Sequence, residues 1–231
     1  VAPSSKKEGV IWVGTDDGNI QISKDFGKTW ANTSTKIKGF PEGGWVAQIQ
    51  ASKHNEAEAF AVVNNYRQND WTPYLFHTKN YGKTWENLLK KSPLNGHCLS
   101  MIQDPVVKEL LYLGTETGLW ISPDYGENWQ KWTGLPTMPV QDMAIQERES
   151  DLILGTFGRA AWVLDDLRPL RAIANKQTQG KTLKAFQSPE AVHAQFMVSD
   201  GIRFQGDAAF KGENRSAGAR MRIYLDNLPE T

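Results

Sequence analysis

The sequence has few of the residues from which metal, redox and nucleic-acid sites are built. Its 231 residues include one cysteine, Cys98, and four scattered histidines, so no intramolecular disulfide is expected and no Cys/His set has metal-ligand spacing. The 26 Lys+Arg balance the 26 Asp+Glu, and no basic run marks a nucleic-acid binder. Apolar runs such as residues 10–13 are far shorter than the roughly 18 residues that span a bilayer. We therefore expect no metal, cofactor, nucleic acid or membrane span.

Tryptophan, glycine and an internal repeat are what the sequence has instead. Nine Trp and twenty Gly, with little helical periodicity, are typical of short strands joined by tight turns. An eight-residue pattern, hydroxyl-x-Asp/Asn-aromatic-Gly-x-polar-Trp, occurs at 23–30, 78–85 and 122–129, and we call each copy an octet. The defining residues are Ser23, Asp25, Gly27 and Trp30, then Thr78, Asn80, Gly82 and Trp85, then Ser122, Asp124, Gly126 and Trp129.

Each octet has the chemistry of a turn between two strands. Its Asp or Asn can accept hydrogen bonds from backbone N–H groups about two residues further on. Its Gly supplies a positive φ, and its Trp is expected to re-enter the sheet and bury a large ring. The octets are therefore predicted to be structural, and catalysis is not placed there in spite of their carboxylates.

The spacing of the octets predicts the fold. Positions 25, 80 and 124 lie 55 and 44 residues apart, and the longer gap contains five extra residues within 65–73. A period of roughly 45 residues with about four alternating strands indicates a β-propeller blade. A fourth copy survives at 152–166 without its octet.

Strand patterns then fill in the blades. Strands are predicted at 45–51, 57–64, 74–78 and 84–88, at 97–103, 110–114, 118–122 and 128–132, and at 140–146, 152–156 and 160–164, with a weak last strand near 168–172. The first unit is expected to lack its opening strand, because residues 1–9 are polar. The prediction is an all-β chain: about four blades over 1–170, then a linker and the start of a C-terminal β-rich segment over 171–231.

The octets resemble the Asp-box, or BNR repeat, and the segment 155–166 (GTFGRAAWVLDD) is similar to the last blade of sortilin-like (VPS10-type) bacterial "glycosyl hydrolases". Residues 206–225 resemble the stretch that opens a β-sandwich in that family. The resemblance implies a secreted or cell-surface protein and a larger propeller, whose remaining blades come from another fragment or chain; the alternative is a small ring that closes on itself. The arginine motif of sialidases is absent, and one cysteine cannot build the cysteine-rich module of sortilins.

The face opposite the octets is where such propellers usually bind ligands. The expanded loop within 65–73 carries Tyr66, Arg67, Asp70 and Trp71, a combination suited to stacking on a sugar or clasping a peptide. The alternative is a polar hairpin whose Trp71 packs on its neighbour. Arg159 is placed near the central channel, where it binds a carboxylate or pairs with Asp165 or Asp166 to hold the last blade.

The leading functional hypothesis is a non-catalytic interaction module that binds a peptide, protein or glycan. The rival is a glycoside hydrolase, with Asp16, Asp17 and Glu116 on the same face and further carboxylates supplied by the remaining blades. An assembly factor for a larger complex fits the same face chemistry.

Overall fold

The computed structural model describes residues 1–190 and 218–226, which belong to two compact units, Val1–Gln179 and Gly180–Thr231. The first unit consists of four consecutive antiparallel sheets, in each of which the strand order follows the chain. We number them blades 1 to 4. The predicted all-β fold of about four blades is confirmed.

Blade 1 contains β1 (Ala2–Pro3), β2 (Ile11–Gly14), β3 (Ile20–Ser23) and β4 (Ala31–Asn32). Blade 2 contains β5 (Trp45–Ala51), β6 (Ala59–Asn65), β7 (Asp70–Thr78) and β8 (Glu86–Asn87). Blade 3 contains β9 (Cys98–Gln103), β10 (Leu111–Thr115), β11 (Gly118–Ser122) and β12 (Gln130–Lys131). Blade 4 contains β13 (Val140–Gln146), β14 (Asp151–Thr156) and β15 (Ala161–Leu164). Two short 3-10 helices, Ser34–Lys36 and Tyr66–Gln68, lie in the connections.

The opening strand of blade 1 is present, so the prediction that it is missing was wrong. Ala2 pairs with Trp12 and Pro3 pairs with Ile11. A strand of two residues is too short to produce an alternating pattern, and the polar residues that follow it form the loop into β2. This is why the sequence pattern did not reveal it.

Blade 4 ends in a helix where the sequence predicted a weak strand. The helix α1 spans Arg168–Ala174, with Pro169 in its first turn, where the missing N–H of proline is tolerated. Leu170 and Ala174 pack with the apolar core that blades 3 and 4 share. Residues of high helix propensity therefore supply a helical edge to the last sheet, and the predicted strand near 168–172 was wrong.

The apolar core lies between neighbouring blades. One cluster joins blades 1 and 2 through residues such as Trp12 and Phe76, and a second joins blades 2 and 3 through Phe60 and Leu113. A third joins blades 3 and 4 through Tyr112 and other residues. Each blade is thus stabilised by burial against its neighbour, so an end blade leaves one apolar surface without this cover.

The second unit contains β16 (Leu183–Ala185) and β17 (Ile223–Leu225), which pair antiparallel. A weak strand predicted at 191–199, and most of the stretch expected to open a β-sandwich, lie outside the described residues. Within the described part of the chain, no helix is long and apolar enough to cross a membrane.

Candidate functional site

The octets form closed hydrogen-bonded turns. In the first, Asp25 Oδ1 accepts the backbone N–H of Thr29 at 2.9 Å and Asp25 Oδ2 accepts its hydroxyl at 2.6 Å. Ser23 Oγ donates to Asp25 at 2.8 Å and accepts the N–H of Gly27, also at 2.8 Å. The carboxylate therefore reaches four residues along the chain, not about two as predicted, because the Ser hydroxyl takes the nearer donor.

The same bonds recur in the other two octets. Asn80 and Asp124 accept the backbone N–H groups of Thr84 and Asn128, both at 2.9 Å. The aromatic residue of each octet has a left-handed φ as well as the glycine: Phe26 (61°), Tyr81 (57°) and Tyr125 (65°). With these bonds the octet carboxylates are occupied by their own turns.

The octet tryptophans differ in burial. Trp129 is only 5% exposed, and its Nε1 donates to Leu88 O of the preceding blade at 3.3 Å. Trp85 packs edge-to-face on Trp12 of the preceding blade, with ring centres 5.9 Å apart. Trp30 is 43% exposed, so the prediction that each octet buries its Trp was wrong for this copy. Blade 1 has no preceding blade among the described residues, which leaves Trp30 without this neighbour.

The opposite face carries the hairpins that join the second and third strands of each blade. In blade 2 this hairpin contains the 3-10 turn Tyr66–Gln68, then Asn69 in a left-handed conformation (φ 60°), and β7 begins at Asp70. The rings of Tyr66 and Trp71 meet His97, which lies directly before β9 of blade 3. The ring centres are 4.9 Å apart for Tyr66 and His97, 5.5 Å for Trp71 and His97, and 6.2 Å for Tyr66 and Trp71.

We call Tyr66, Trp71 and His97 the aromatic cluster. It bridges two blades, with Trp71 on its outer side at 49% exposed and His97 buried beneath. Trp71 does pack on neighbouring rings, as expected for the alternative of a polar hairpin, yet half of its surface remains exposed. The cluster is therefore both part of the blade junction and a surface available to a ligand.

Arg67 lies beside the cluster. Its guanidinium carbon is 4.4 Å from the centre of the Trp45 ring and 5.9 Å from that of Tyr66. Stacking on an indole ring holds the guanidinium plane, and the side chain remains exposed to solvent. Within 1–190 and 218–226, no carboxylate lies within ion-pair distance of this side chain.

Asp70 is used inside its own hairpin. It accepts the Tyr74 hydroxyl at 2.8 Å and the backbone N–H of Thr72 at 3.0 Å. Burial raises the pKa of Asp70, but hydrogen bonds from Thr72, Tyr74 and Asn65 outweigh it, so the pKa lies below its usual value. The carboxylate therefore shapes the loop, whereas Tyr66, Arg67 and Trp71 form the surface.

His97 and Glu116 complete the site. Glu116 lies in the turn between β10 and β11, with Oε2 3.3 Å from His97 Nδ1. Burial lowers the pKa of His97, and the charge of Glu116 offsets this only in part, so the imidazole is neutral at pH 7. Glu116 was expected on this face, whereas His97 was not. His97 was predicted to be the first residue of the strand 97–103, and no local pattern indicated its contact with the rings of blade 2.

Two other predicted residues lie apart from the cluster. Asp17 accepts a hydrogen bond from the Thr15 hydroxyl in its own hairpin, and bonds from Thr15 and Asn19 hold the pKa of Asp17 below its usual range. Arg159 is exposed in the turn between β14 and β15. Asp166 forms an ion pair with Arg168, Oδ1 to Nη1 at 3.2 Å. The pairing of Arg159 with Asp165 or Asp166 stays a prediction.

The acidic groups of this face do not gather into a metal site. In the part of the chain that the structure describes, no three His, Cys, Asp or Glu side chains are placed to hold a metal ion. What the face presents is an aromatic surface flanked by a free guanidinium and a carboxylate, an arrangement suited to binding through stacking and hydrogen bonds.

Comparison with known proteins supports the fold. No family model matches the chain. The xyloglucanase Xgh74A of Acetivibrio thermocellus is 31% identical over 86 residues, which cover 32% of this chain and 10% of that protein. The matched part thus spans about a tenth of the curated relative.

Two solved structures are similar in fold. The GH74 enzyme of Niastella koreensis matches with a TM-score of 0.55 and 14% identity, over 72% of this chain and 28% of that one. YCF48, solved with a D1 peptide bound, matches with a TM-score of 0.52 and 14% identity, over 71% of this chain and 48% of that one. The four consecutive antiparallel sheets and these likenesses together show that the chain has the β-propeller fold.

Proposed function

We propose that this chain is a non-catalytic interaction module of a secreted or cell-surface protein, and that it binds its ligand on the face opposite the octets. The observation that carries the proposal is the half-exposed Trp71, held on Tyr66 and His97 where blades 2 and 3 meet. A large ring that is fixed by its neighbours and still open binds a partner with little loss of side-chain entropy. Peptides, proteins and glycans all offer surfaces that stack on such a ring.

Two acidic residues of the same face, Asp17 and Asp70, support binding over hydrolysis. A glycoside hydrolase needs a carboxylic acid with a raised pKa to protonate the leaving oxygen. The carboxyl pKa values that depart clearly from normal on this face, those of Asp17 and Asp70, are lowered by hydrogen bonds within their own hairpins. Such carboxylates hold loops in place and are poor proton donors at neutral pH.

The test compares two tryptophans of similar exposure on opposite faces. The probes are xyloglucan heptasaccharide, a uronate tetrasaccharide and a peptide array, with binding measured by calorimetry or on the array. Trp71→Ala should abolish binding of whichever probe the wild type binds, whereas Trp30→Ala, 43% exposed on the octet side, should leave it unchanged. Equal affinities of the wild type and Trp71→Ala would contradict the proposed face.

We also propose that a further octet-bearing blade of a larger Asp-box propeller, sortilin-like in type, packs against blade 1. In two junctions the Lys of one octet lies over the aromatic ring of the next: Lys24 Nζ is 4.4 Å from the centre of Tyr81, and Lys79 Nζ is 4.5 Å from that of Tyr125. Phe26 occupies the same octet position in blade 1 and is 69% exposed. The repeated contact identifies the kind of surface that would cover it.

Light scattering with intact mass spectrometry on the native material tests this partner. A larger assembly that contains a second polypeptide, in which Trp30 is shielded from acrylamide, is the expected result. A stable folded species near 25.9 kDa in which Trp30 is already shielded would mean that the blades close on themselves. That outcome would contradict a blade supplied from elsewhere.

A glycoside hydrolase remains the second candidate because of the 31% identity to a xyloglucanase over 86 residues. Its carboxylates would be Asp16 or Asp17 with Glu116. Release of reducing ends from xyloglucan that is lost in Glu116→Gln and in either Asp16→Asn or Asp17→Asn would favour it over the binding module. We expect no release above that of a heat-inactivated sample.

A further inference from the structure

Arg67 is a fixed cation without a fixed anion. Its guanidinium stacks 4.4 Å from the Trp45 ring centre and is exposed to solvent. Among the described residues no carboxylate pairs with it, although Asp70 is only three positions away and bonds to Tyr74 instead. A planar guanidinium held in this way is ready to accept a carboxylate through two parallel N–H···O bonds.

Trp71 is equally well fixed. Tyr66 and His97 pack on its ring, and its Nε1 donates to Asn69 Oδ1 at 3.3 Å. The indole N–H is therefore occupied, and what remains exposed is ring surface. An exposed aromatic ring surface matches the C–H face of a pyranose ring.

Both features lie beside the ring of Tyr66. The Arg67 guanidinium is 5.9 Å from the centre of the Tyr66 ring, and the Trp71 ring centre is 6.2 Å from it. A ligand that spans one or two pyranose units can therefore reach both. Glu116, whose Oε2 lies 3.3 Å from His97 Nδ1, adds an acceptor for a sugar hydroxyl beside the cluster.

We propose that the ligand of this site is an anionic glycan, with a uronate carboxylate on Arg67 and a neighbouring sugar ring on Trp71. This inference rests on the proposed function of the same face. It names the ligand by its chemistry: a hexuronic acid joined to a ring with an open apolar face.

β8 pairs with β7 only at Phe76 and His77, so it does not cover the outer edge of the first residues of β7. This edge favours a glycan over an extended peptide. A peptide that adds a strand needs donors on that edge. Next to Trp71, however, the N–H of Thr72 is taken by Asp70 Oδ1 at 3.0 Å, and Pro73 has no N–H. Two consecutive residues without a free N–H donor make the addition of a peptide strand at this edge unfavourable. Stacking and side-chain hydrogen bonds, which a sugar uses, are unaffected.

The experiment compares free and methyl-esterified uronates by isothermal titration calorimetry at fixed salt. The probes are tetragalacturonate and a hyaluronan tetrasaccharide, each with its methyl ester, in which the carboxylate charge is removed and the rings are retained. The variants are Arg67→Gln, Arg67→Lys and Trp71→Ala. The controls are Arg148→Gln, an exposed arginine that already pairs with Glu149, and Trp30→Ala. Circular dichroism confirms that each variant is folded.

For at least one of the two uronates, esterification should weaken wild-type binding about tenfold or more, since hydrogen bonds to charged groups contribute more than neutral ones. Arg67→Gln should bind both forms equally, Arg67→Lys should fall between, and Trp71→Ala should weaken both forms. The controls should behave as the wild type.

Each of the other possible results refutes one stated part of the proposal. Equal binding of free and esterified probes that depends on Trp71 leaves the binding face intact and refutes the carboxylate contact. If Arg148→Gln loses as much uronate affinity as Arg67→Gln, the effect is general charge attraction, and the carboxylate contact is refuted. The peptide array of the first test is repeated with Arg67→Gln, and binding of acidic peptides that this variant loses, with no uronate bound, overturns the glycan in favour of a peptide. Absence of any Trp71-dependent binding refutes the inference and the proposed face together.

Discussion

Replacing Trp129 with alanine should destabilise the chain far more than replacing Trp30, although both residues occupy the same octet position. Trp129 is 5% exposed and lies against blade 2, so its removal leaves a cavity in the junction between blades. Substitution of a buried Trp by Ala costs about 3–5 kcal/mol. For a domain of this size that lowers the melting temperature by roughly 10 °C or more.

Trp30 should be much less sensitive in the purified chain alone, where the further blade proposed above does not cover it. It is 43% exposed, and its Nε1 donates to Gly27 O at 3.0 Å. Loss of that bond and of part of the ring contact should cost about 1 kcal/mol, or roughly 3 °C. Scanning calorimetry at two protein concentrations measures both variants against the wild type.

Two outcomes would refute this reasoning. A Trp129→Ala variant as stable as the wild type would mean that the junction between blades 2 and 3 does not depend on octet packing. Equal large losses in both variants would mean that Trp30 is covered in solution. If that loss grew with protein concentration, a second copy or a partner polypeptide would be the cover; if it did not, the chain would close on itself.

Three further predictions concern buried and hydrogen-bonded groups. Arg171→Met should lower the free energy of unfolding, measured in urea, by about 3–5 kcal/mol. The substitution leaves the fully buried Asp104 without the guanidinium that binds both its oxygens at 2.9 and 3.1 Å. A change below about 1 kcal/mol would contradict this reasoning. Burial raises the pKa of Cys98 to about 12. A disulfide reagent should therefore modify this thiol only as fast as the protein unfolds. Rapid modification of the native protein would contradict the burial of Cys98. Hydrogen bonds from the side chain and backbone of Thr29 and from Ser23 lower the pKa of Asp25 from 3.8 to about 2. The contribution of this carboxylate to stability should therefore be complete well above pH 4 and be lost as the pH falls toward 2. Asp25→Asn should remove that part of the acid dependence, and an unchanged dependence of unfolding on pH would count against this reasoning.

The blades could be predicted from the sequence because their signals are local. An octet is specified by eight consecutive residues, and a strand by alternation over four to seven, so β11 was expected at 118–122 and β13 at 140–146, as found. The octet hydrogen bonds are local as well, though the reach of Asp25 to Thr29 was underestimated. The loop within 65–73 stood out only because the repeat supplied a reference length.

The features that were missed depend on neighbours in space. Trp30 has the same local sequence as Trp129, and only the preceding blade decides which ring is buried. His97 joins the aromatic cluster because blade 3 is set beside blade 2, which no local pattern states. The helix α1 lies where a strand was predicted, and its Arg171 contacts the buried Asp104, 67 positions earlier in the sequence. Contacts between blades thus set the limit of what the pattern could predict.

The two faces of the blades differ in how their polar groups are satisfied, and this difference directs the search for function. On the octet face, the side-chain oxygens of Asp25, Asn80 and Asp124 accept hydrogen bonds from their own turns. A substitution at these positions should therefore reduce stability more than it reduces binding. On the opposite face, Arg67 is held by a stacked ring and has no carboxylate partner in the described part of the chain. A cation fixed by an aromatic neighbour but left unpaired contributes little to folding. Variants of Arg67 should therefore change ligand affinity while leaving the melting temperature within about 2 °C of the wild type, since exposed substitutions of this kind usually cost less than about 0.5 kcal/mol. A large loss of stability in Arg67→Gln would place the residue among the structural groups and remove the basis for a ligand contact.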